Sequence, residues 1–192
     1  MKRIVLASAS PRRKELLEQI GLQFEIEPSN HDEELQDDLT PHEMAKALSL
    51  EKARAVASKN KNAIIIAADT FIVIDEKIVG KPHTDDQARD MLILLNGKSH
   101  LVITGYTILD TDDGKLVVRS VETTVHMRGL TPDEIEAYIA TGEPIGKAGA
   151  YAIQGLGSVF IEGIEGDYSN VVGLPLSALA ASLTEFGFHL LS

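Results

Sequence analysis

Three adjacent cations, Arg12-Arg13-Lys14, follow the small hydroxylic stretch Ser8-Ala9-Ser10-Pro11, which itself follows the apolar run Ile4-Val5-Leu6-Ala7. Ser10 suits a helix N-cap and Pro11 the first helical position, where a missing N–H costs nothing. Leu16, Leu17 and Ile20 mark the buried face of that helix, and Gly21 is placed to end it. A helix start leaves about four unpaired N–H groups and a partial positive charge. With Ser8, Ser10, Arg12, Arg13 and Lys14 at the same point, the stretch reads as an anion cradle whose natural guest is phosphate. Ser-Pro followed by charges is also an ordinary solvated helix start. The charge balance favours the cradle: the chain has 18 Lys plus Arg against 29 Asp plus Glu, so this cluster is a local exception. Like charges in a first turn oppose the helix dipole by roughly 0.3 kcal/mol or more per residue, a cost that a bound anion offsets.

Asp69 is the next informative residue. It closes the apolar run Ala63-Ile64-Ile65-Ile66-Ala67-Ala68. A carboxylate at the end of a buried strand must be solvated in a cleft, paired with a cation or bound to a metal, unless it caps a turn through Thr70. Arg12, Arg13, Lys52 and Lys81 stand at element ends or on helices near small residues, where they can converge on a polyphosphate. Taken alone, Lys52 reads as a surface lysine.

These residues need elements to position them. Phe24 to Pro28 alternates apolar and acidic residues as a half-buried strand does, and an acidic loop, Asn30 to Asp38, follows. Thr40-Pro41-His42-Glu43, Thr84-Asp85-Asp86-Gln87 and Thr131-Pro132-Asp133-Glu134 are capping boxes that open helices. The run from Ala63 reads as a central strand buried on both faces, ending at Asp69, with the apolar pattern resuming at Phe71. His100–Leu109 and Lys115–Met127 form a long hairpin. Glycines crowd the segment from Gly146 to Gly173, as close backbone approach requires, and a last helix carries Leu176, Leu179, Ala180 and Leu183 inward. The pattern predicts a single α/β domain over residues 1–192, a long mixed sheet flanked by helices, in two lobes around a central cleft.

The chain, at 192 residues, is long enough to bury about 70% of its unfolded surface. With no Cys, it has no disulfide and no thiolate chemistry, which agrees with a reducing cytoplasm, and any metal must use O or N ligands. Lys2-Arg3 leads into too short an apolar run for a leader, and no run approaches the roughly 18 residues of a membrane span, so a soluble, cytoplasmic protein without membrane partners is expected. A net charge of −11, with five Phe, four Tyr and no Trp, argues against nucleic-acid binding and leaves small phosphorylated ligands.

Five segments in order, Ala7 to Arg13, Ala67 to Thr70, Gly80-Lys81-Pro82, Lys147 to Gly155 and Glu165 to Pro175, resemble the Maf family, the so-called septum formation inhibitors. The resemblance runs from residue 4 to residue 187. It implies a fold related to inosine triphosphatases and a pyrophosphatase that cuts nucleoside triphosphates between the α and β phosphates with a divalent cation, Mg²⁺ or Mn²⁺. On matching positions it makes Asp69 the general base, Ser8, Arg12, Arg13, Lys52 and Lys81 the phosphate-binding set, and Glu33 a metal-associated acid beside Asp69. Asn30-His31-Asp32-Glu33 departs from the usual pair of Asp residues before that Glu. Arg12, Thr70 and Gln154 resemble the branch acting on dTTP and UTP; a sister branch acting on methylated GTP has Gln after the catalytic Asp and Glu near position 154. An amide both donates to and accepts from a pyrimidine edge, which a carboxylate does not. Two rivals remain, a nucleotide-binding regulator of cell division without hydrolysis and a nucleic-acid-binding protein. The sequence leaves a homodimer open.

Overall fold

Strand and helix alternate through the first half of the chain. The computed structural model, which describes residues 2–29 and 38–190, contains β1 (Arg3–Leu6), α1 (Pro11–Gln19), β2 (Glu25–Ile26), α2 (Pro41–Ala57), β3 (Ala63–Ile74), β4 (Lys77–Val79) and α3 (Asp85–Leu95). The long strands β5 (Ser99–Asp110) and β6 (Leu116–Met127) follow, then α4 (Pro132–Ile139), two short 3₁₀ turns, β7 (Ile161–Glu165), α5 (Tyr168–Val172) and α6 (Leu176–Thr184). The strands form one seven-stranded mixed sheet in the order β2-β1-β3-β5-β6-β7, with β4 paired to β3. β1 runs parallel to both β2 and β3, while β4 and β7 pair antiparallel to β3 and β6. The α/β class and the flanked mixed sheet are those the periodicity predicts.

Expectations for two strands are corrected, and a third strand was not predicted. β3 does not end at Asp69 but runs unbroken for 12 residues, so Asp69 and Thr70 lie inside it. β1 pairs with β3 up to Ile66, before the polar pair, and β4 from Ile72, after it, and this outweighs the break in the apolar pattern. The Phe24–Pro28 stretch yields only two ladder residues, both exposed, because β2 is an edge strand with β1 alone beside it. β4 carried no sequence signal, since Asp75 and Glu76 turn the hairpin at φ 49° and 62° without the Asn-Gly or Asp-Gly pair that usually marks such turns. The Thr40 and Thr131 capping boxes are complete, whereas Gln87 bonds back to His83 N and leaves the Thr84 box half made. Among the described residues, no helix is long and apolar enough to cross a membrane.

The chain packs as two compact units, Met1–Thr70 with Thr104–Val121 and Gly173–Ser192, and Phe71–Ile103 with Glu122–Val172. In the first, Ala53 and Val56 of α2 pack on Val5, Ala7, Ala63, Ile65 and Ala67. The odd-numbered residues of β1 and β3 therefore face α2, as the two-residue period of a strand requires. Gly105 of β5 lets α2 come closer still: a Cβ there would stand 2.0 Å from Ala45 O and 2.2 Å from its carbonyl carbon. In the second unit, Leu92, Leu95, Val102, Val125, Ile135 and Phe160 are core residues. His100 lies among them at 3% exposure, Nε2 2.7 Å from the Tyr151 hydroxyl.

Two predictions follow from this packing. Gly105→Ala forces helix backbone away from sheet backbone and is expected to cost about 3 kcal/mol, lowering Tm by roughly 6–12 °C. A thermal melt checks this, and an unchanged Tm would mean the close approach is not tight. For His100, burial first and the neighbouring His126 second push the imidazole from 6.5 down to about 4. The unfolded chain therefore binds the proton more readily than the folded one between those values. Stability is full above pH 6.5 and falls as pH drops towards 4, by about 3 kcal/mol from this group. Urea unfolding across pH 4–7 should show a shallower acid limb for His100→Gln than for the parent; identical limbs would contradict the assignment.

Candidate active site

β1 makes its last paired step at Leu6 opposite Ile66, and Ala7 N adds one bond to Ile66 O at 2.8 Å. Beyond that step β3 runs on without β1 beside it, and Asp69 and Thr70 stand on this overhang. Ligands in parallel α/β sheets gather at such carboxyl ends of strands. The chain leaves β1 through Ser8 and enters α1 at Pro11, with Ser10 as the N-cap residue. The Ser10 side chain, however, makes no cap bond. Buried Ser8 turns its Oγ back to accept from Ser10 N at 3.2 Å and from Arg13 Nη1 at 3.2 Å.

Arg13 ties this turn to two other segments. Its Nε donates to Gly173 O at 2.9 Å and its Nη2 to Thr70 Oγ1 at 3.1 Å. Gly173 sits at φ 132°, a conformation that side chains rarely adopt, which is why glycine stands where the carbonyl must meet Arg13. The three adjacent cations thus part company. Arg13 is oriented by uncharged oxygens, Lys14 pairs with Glu18 at 3.6 Å, and half-buried Arg12 has no partner among the described residues.

On the α2 side of β3 the reading of Lys52 as a surface lysine is overturned. Lys52 Nζ donates to Asp69 Oδ1 at 2.5 Å, with only 10% and 5% of the two side chains exposed. Local sequence hid this because Lys52 lies on the apolar face of α2, three positions from buried Ser49 and four from buried Val56. Asp69 Oδ2 accepts from no described residue. Asp69 and Thr70, adjacent in a strand, point to opposite faces of the sheet: Asp69 with Lys52 on one, Thr70 with Ser8, Arg13 and Gly173 on the other. The structure therefore pairs Lys52 with Asp69 on one face and joins Ser8, Arg13 and Thr70 on the other.

Lys81 and Gln154 belong to the second unit, and both are exposed. Lys81 is bracketed: Gly80 O accepts from Gly149 N at 2.9 Å and Pro82 O from Gly146 N at 3.0 Å. The Glu143 carboxylate receives Tyr138 OH, Leu156 N and Gly157 N, which fixes the turn just after Gln154. Glu33 lies outside the described residues. Sequence reasoning missed Thr104, whose Oγ1 is 2.9 Å from Thr70 Oγ1. The signal available was a threonine beside a glycine within the apolar strand Leu101-Val102-Ile103-Thr104-Gly105.

A metal can be weighed against this donor set. Among the described residues no group of three or more His, Asp or Glu is placed to hold an ion. A single carboxylate without sulfur ligands suits a hard cation that takes its remaining oxygens from substrate phosphates and water, as Mg²⁺ commonly does.

A solved structure, that of the Staphylococcus aureus Ham1 protein, superposes with a TM-score of 0.52 at 14% identity, covering 96% of this chain and 100% of that one, a likeness of fold. Proteins named dTTP/UTP pyrophosphatase are far nearer in sequence. That of Moorella thermoacetica is 49% identical over 97% of this chain and 96% of its own length. The Methanococcoides burtonii protein is 50% identical over 99% and 98%, and that of Syntrophotalea carbinolica 52% over 96% and 84%. The model of the Maf-like protein family matches residues 3–186, and with every segment that resembles that family lying inside this span, the chain belongs to it.

Proposed function

We propose that the protein hydrolyses nucleoside triphosphates at the α–β phosphoanhydride, releasing a nucleoside monophosphate and pyrophosphate, with dTTP and UTP as substrates. The observation that carries this reading is the buried Lys52–Asp69 pair at 2.5 Å on the overhang of β3, in a chain about half identical to proteins named for that activity. Holding two charges out of water is costly, and a surface pair would serve stability as well, so the placement points to chemistry.

In this reading Lys52 fixes the carboxylate through Oδ1, and Oδ2 takes the proton of the water that attacks the α-phosphorus. The α-phosphorus–oxygen bond on the β side breaks, and the electron pair leaves with pyrophosphate. Arg13, aimed by Ser8, Thr70 and Gly173, and Arg12, Lys81 and Ser8 take the phosphate oxygens, where the leaving charge develops. A bound Mg²⁺ or Mn²⁺, held by Asp69 with Glu33, would supply further neutralisation of that charge. The base is read by Gln154, whose exposed amide has no partner among the described residues. The Thr70 hydroxyl is engaged by Arg13, Thr104 and Gly173, so its part in this reading is to hold Arg13. An active homodimer is compatible with this reading.

Asp69→Asn is expected to lower kcat by about 10²- to 10⁴-fold. It also leaves a buried ammonium opposite an amide, which should cost stability of about 2 kcal/mol or more. Pairing it with Lys52→Met should recover most of the stability and none of the activity; a double variant that regained turnover would remove Asp69 from the chemistry.

The substrate assignment is tested by pyrophosphate release from dTTP, UTP, CTP, ATP and GTP at one Mg²⁺ or Mn²⁺ concentration. Thymine and uracil present an O4 acceptor and an N3–H donor, and cytosine the reverse. The mismatch leaves a polar group of the bound base unpaired, so kcat/KM for CTP should fall by about 5- to 150-fold, with purines lower still. Excess EDTA should stop the reaction. Preference for GTP or ATP would refute the pyrimidine assignment, and binding without turnover would favour a nucleotide-binding regulator.

A further inference from the structure

The Thr70 hydroxyl has no capacity left for a substrate. Its Oγ1 lies 3.1 Å from Arg13 Nη2, 3.3 Å from Gly173 O and 2.9 Å from Thr104 Oγ1. A hydroxyl offers one donor and two acceptor positions. Accepting from Arg13 leaves one proton and one lone pair, and Gly173 and Thr104 use them. Thr104 itself is fully buried, at 0% exposure. It sits on β5 one residue before Gly105, and with Gly105 turned towards α2 it takes the opposite face, the one that holds Thr70, Arg13 and Gly173.

We propose that Thr104 is a positioning residue for triphosphate hydrolysis. When its hydroxyl donates to Thr70 Oγ1, the Thr70 proton is directed at Gly173 O, and the remaining lone pair receives the guanidinium. Gly173 O then accepts from both Thr70 and Arg13 Nε, closing a ring of hydrogen bonds around the arginine. A guanidinium held at Nε and both terminal nitrogens has a fixed plane, and its orientation is what a triphosphate would read. Without the Thr104 hydroxyl, Thr70 has an unfilled bonding position and two competing orientations for its proton. The inference rests on the reading of Arg13 as a triphosphate ligand. It also separates Thr70 from the base: a network that aims a phosphate-binding arginine affects every triphosphate alike.

The experiment compares kcat and KM for dTTP, UTP and CTP in the wild-type protein, Thr104→Val, Thr104→Ser and each paired with Arg13→Ala. Thr104→Val replaces a hydroxyl by a methyl group of similar size. It should lower kcat/KM by about 10-fold, uniformly across the three substrates. Thr104→Ser restores the hydroxyl and should return activity to within about 2-fold of wild type, and in the Arg13→Ala background Thr104→Val should have no further effect. Wild-type kcat/KM in Thr104→Val, an equal loss in the Ser variant, an additive loss in the Arg13→Ala background or an altered dTTP to CTP ratio would each overturn the proposal. Circular dichroism melts show whether the Val variant is folded at the assay temperature, and Thr104→Ala supplies the same comparison if it is not. A wild-type protein that releases no pyrophosphate from any triphosphate refutes both readings, whereas an active wild type indifferent to the hydroxyl refutes only the positioning role.

Discussion

The first unit is built around a charge pair that cannot exist unless three other features hold. Lys52 and Asp69 meet at 2.5 Å with little solvent, and each alone would carry a large desolvation cost. For them to meet, α2 must lie close against the sheet, at the right height, and facing the correct side of β3. Gly105 allows the approach, because its missing Cβ is where Ala45 O passes. The Thr40 capping box sets where α2 begins, and so where Lys52 falls along it. Ala53, Val56, Val5, Ala7, Ala63, Ile65 and Ala67 lock its rotation. Ala45 and Lys52 are about two helical turns apart on one face, so the tightest backbone contact and the buried charge belong to the same stretch of helix.

A single strand then presents chemistry to both sides. Alternation sends Asp69 towards α2 and Thr70 towards the β1–α1 turn. β1 stops early enough to leave both beyond its end. The Ser8 hydroxyl closes the turn before α1 and aims Arg13, so local turn geometry and site geometry share one side chain. In the second unit, order comes instead from backbone bonds of the glycine-rich stretch and from the Glu143 carboxylate. These hold the segments that carry Lys81 and Gln154 while leaving both side chains exposed.

Much was legible in the sequence because it is encoded locally. Capping boxes at Thr40 and Thr131 place their helices without tertiary help, since the bonds lie within four residues. The buried strand from Ala63 follows from an unbroken apolar run, and the Ser-Pro-Arg-Arg stretch announced a charged helix start. Five ordered segments carried the family, which the match over residues 3–186 shows. That Asp69 needs a partner was likewise readable from the conflict between a carboxylate and its apolar surroundings, and Lys52 is that partner.

Only the tertiary structure decided which charges are paired. Lys52 and Asp69 are 17 positions apart, and Arg13 lies 160 positions from Gly173. No periodicity reports such distances, because helix and strand patterns record which face is buried and not what it meets. Thr104 was invisible for the same reason: a threonine in a β-strand satisfies strand propensity, and its bond to Thr70 exists only when β5 lies beside β3. The continuity of β3 through Asp69 and Thr70 was also settled this way. A polar pair interrupts a pattern read along the chain, but the backbone bonds that sustain a strand come from its neighbours across the sheet.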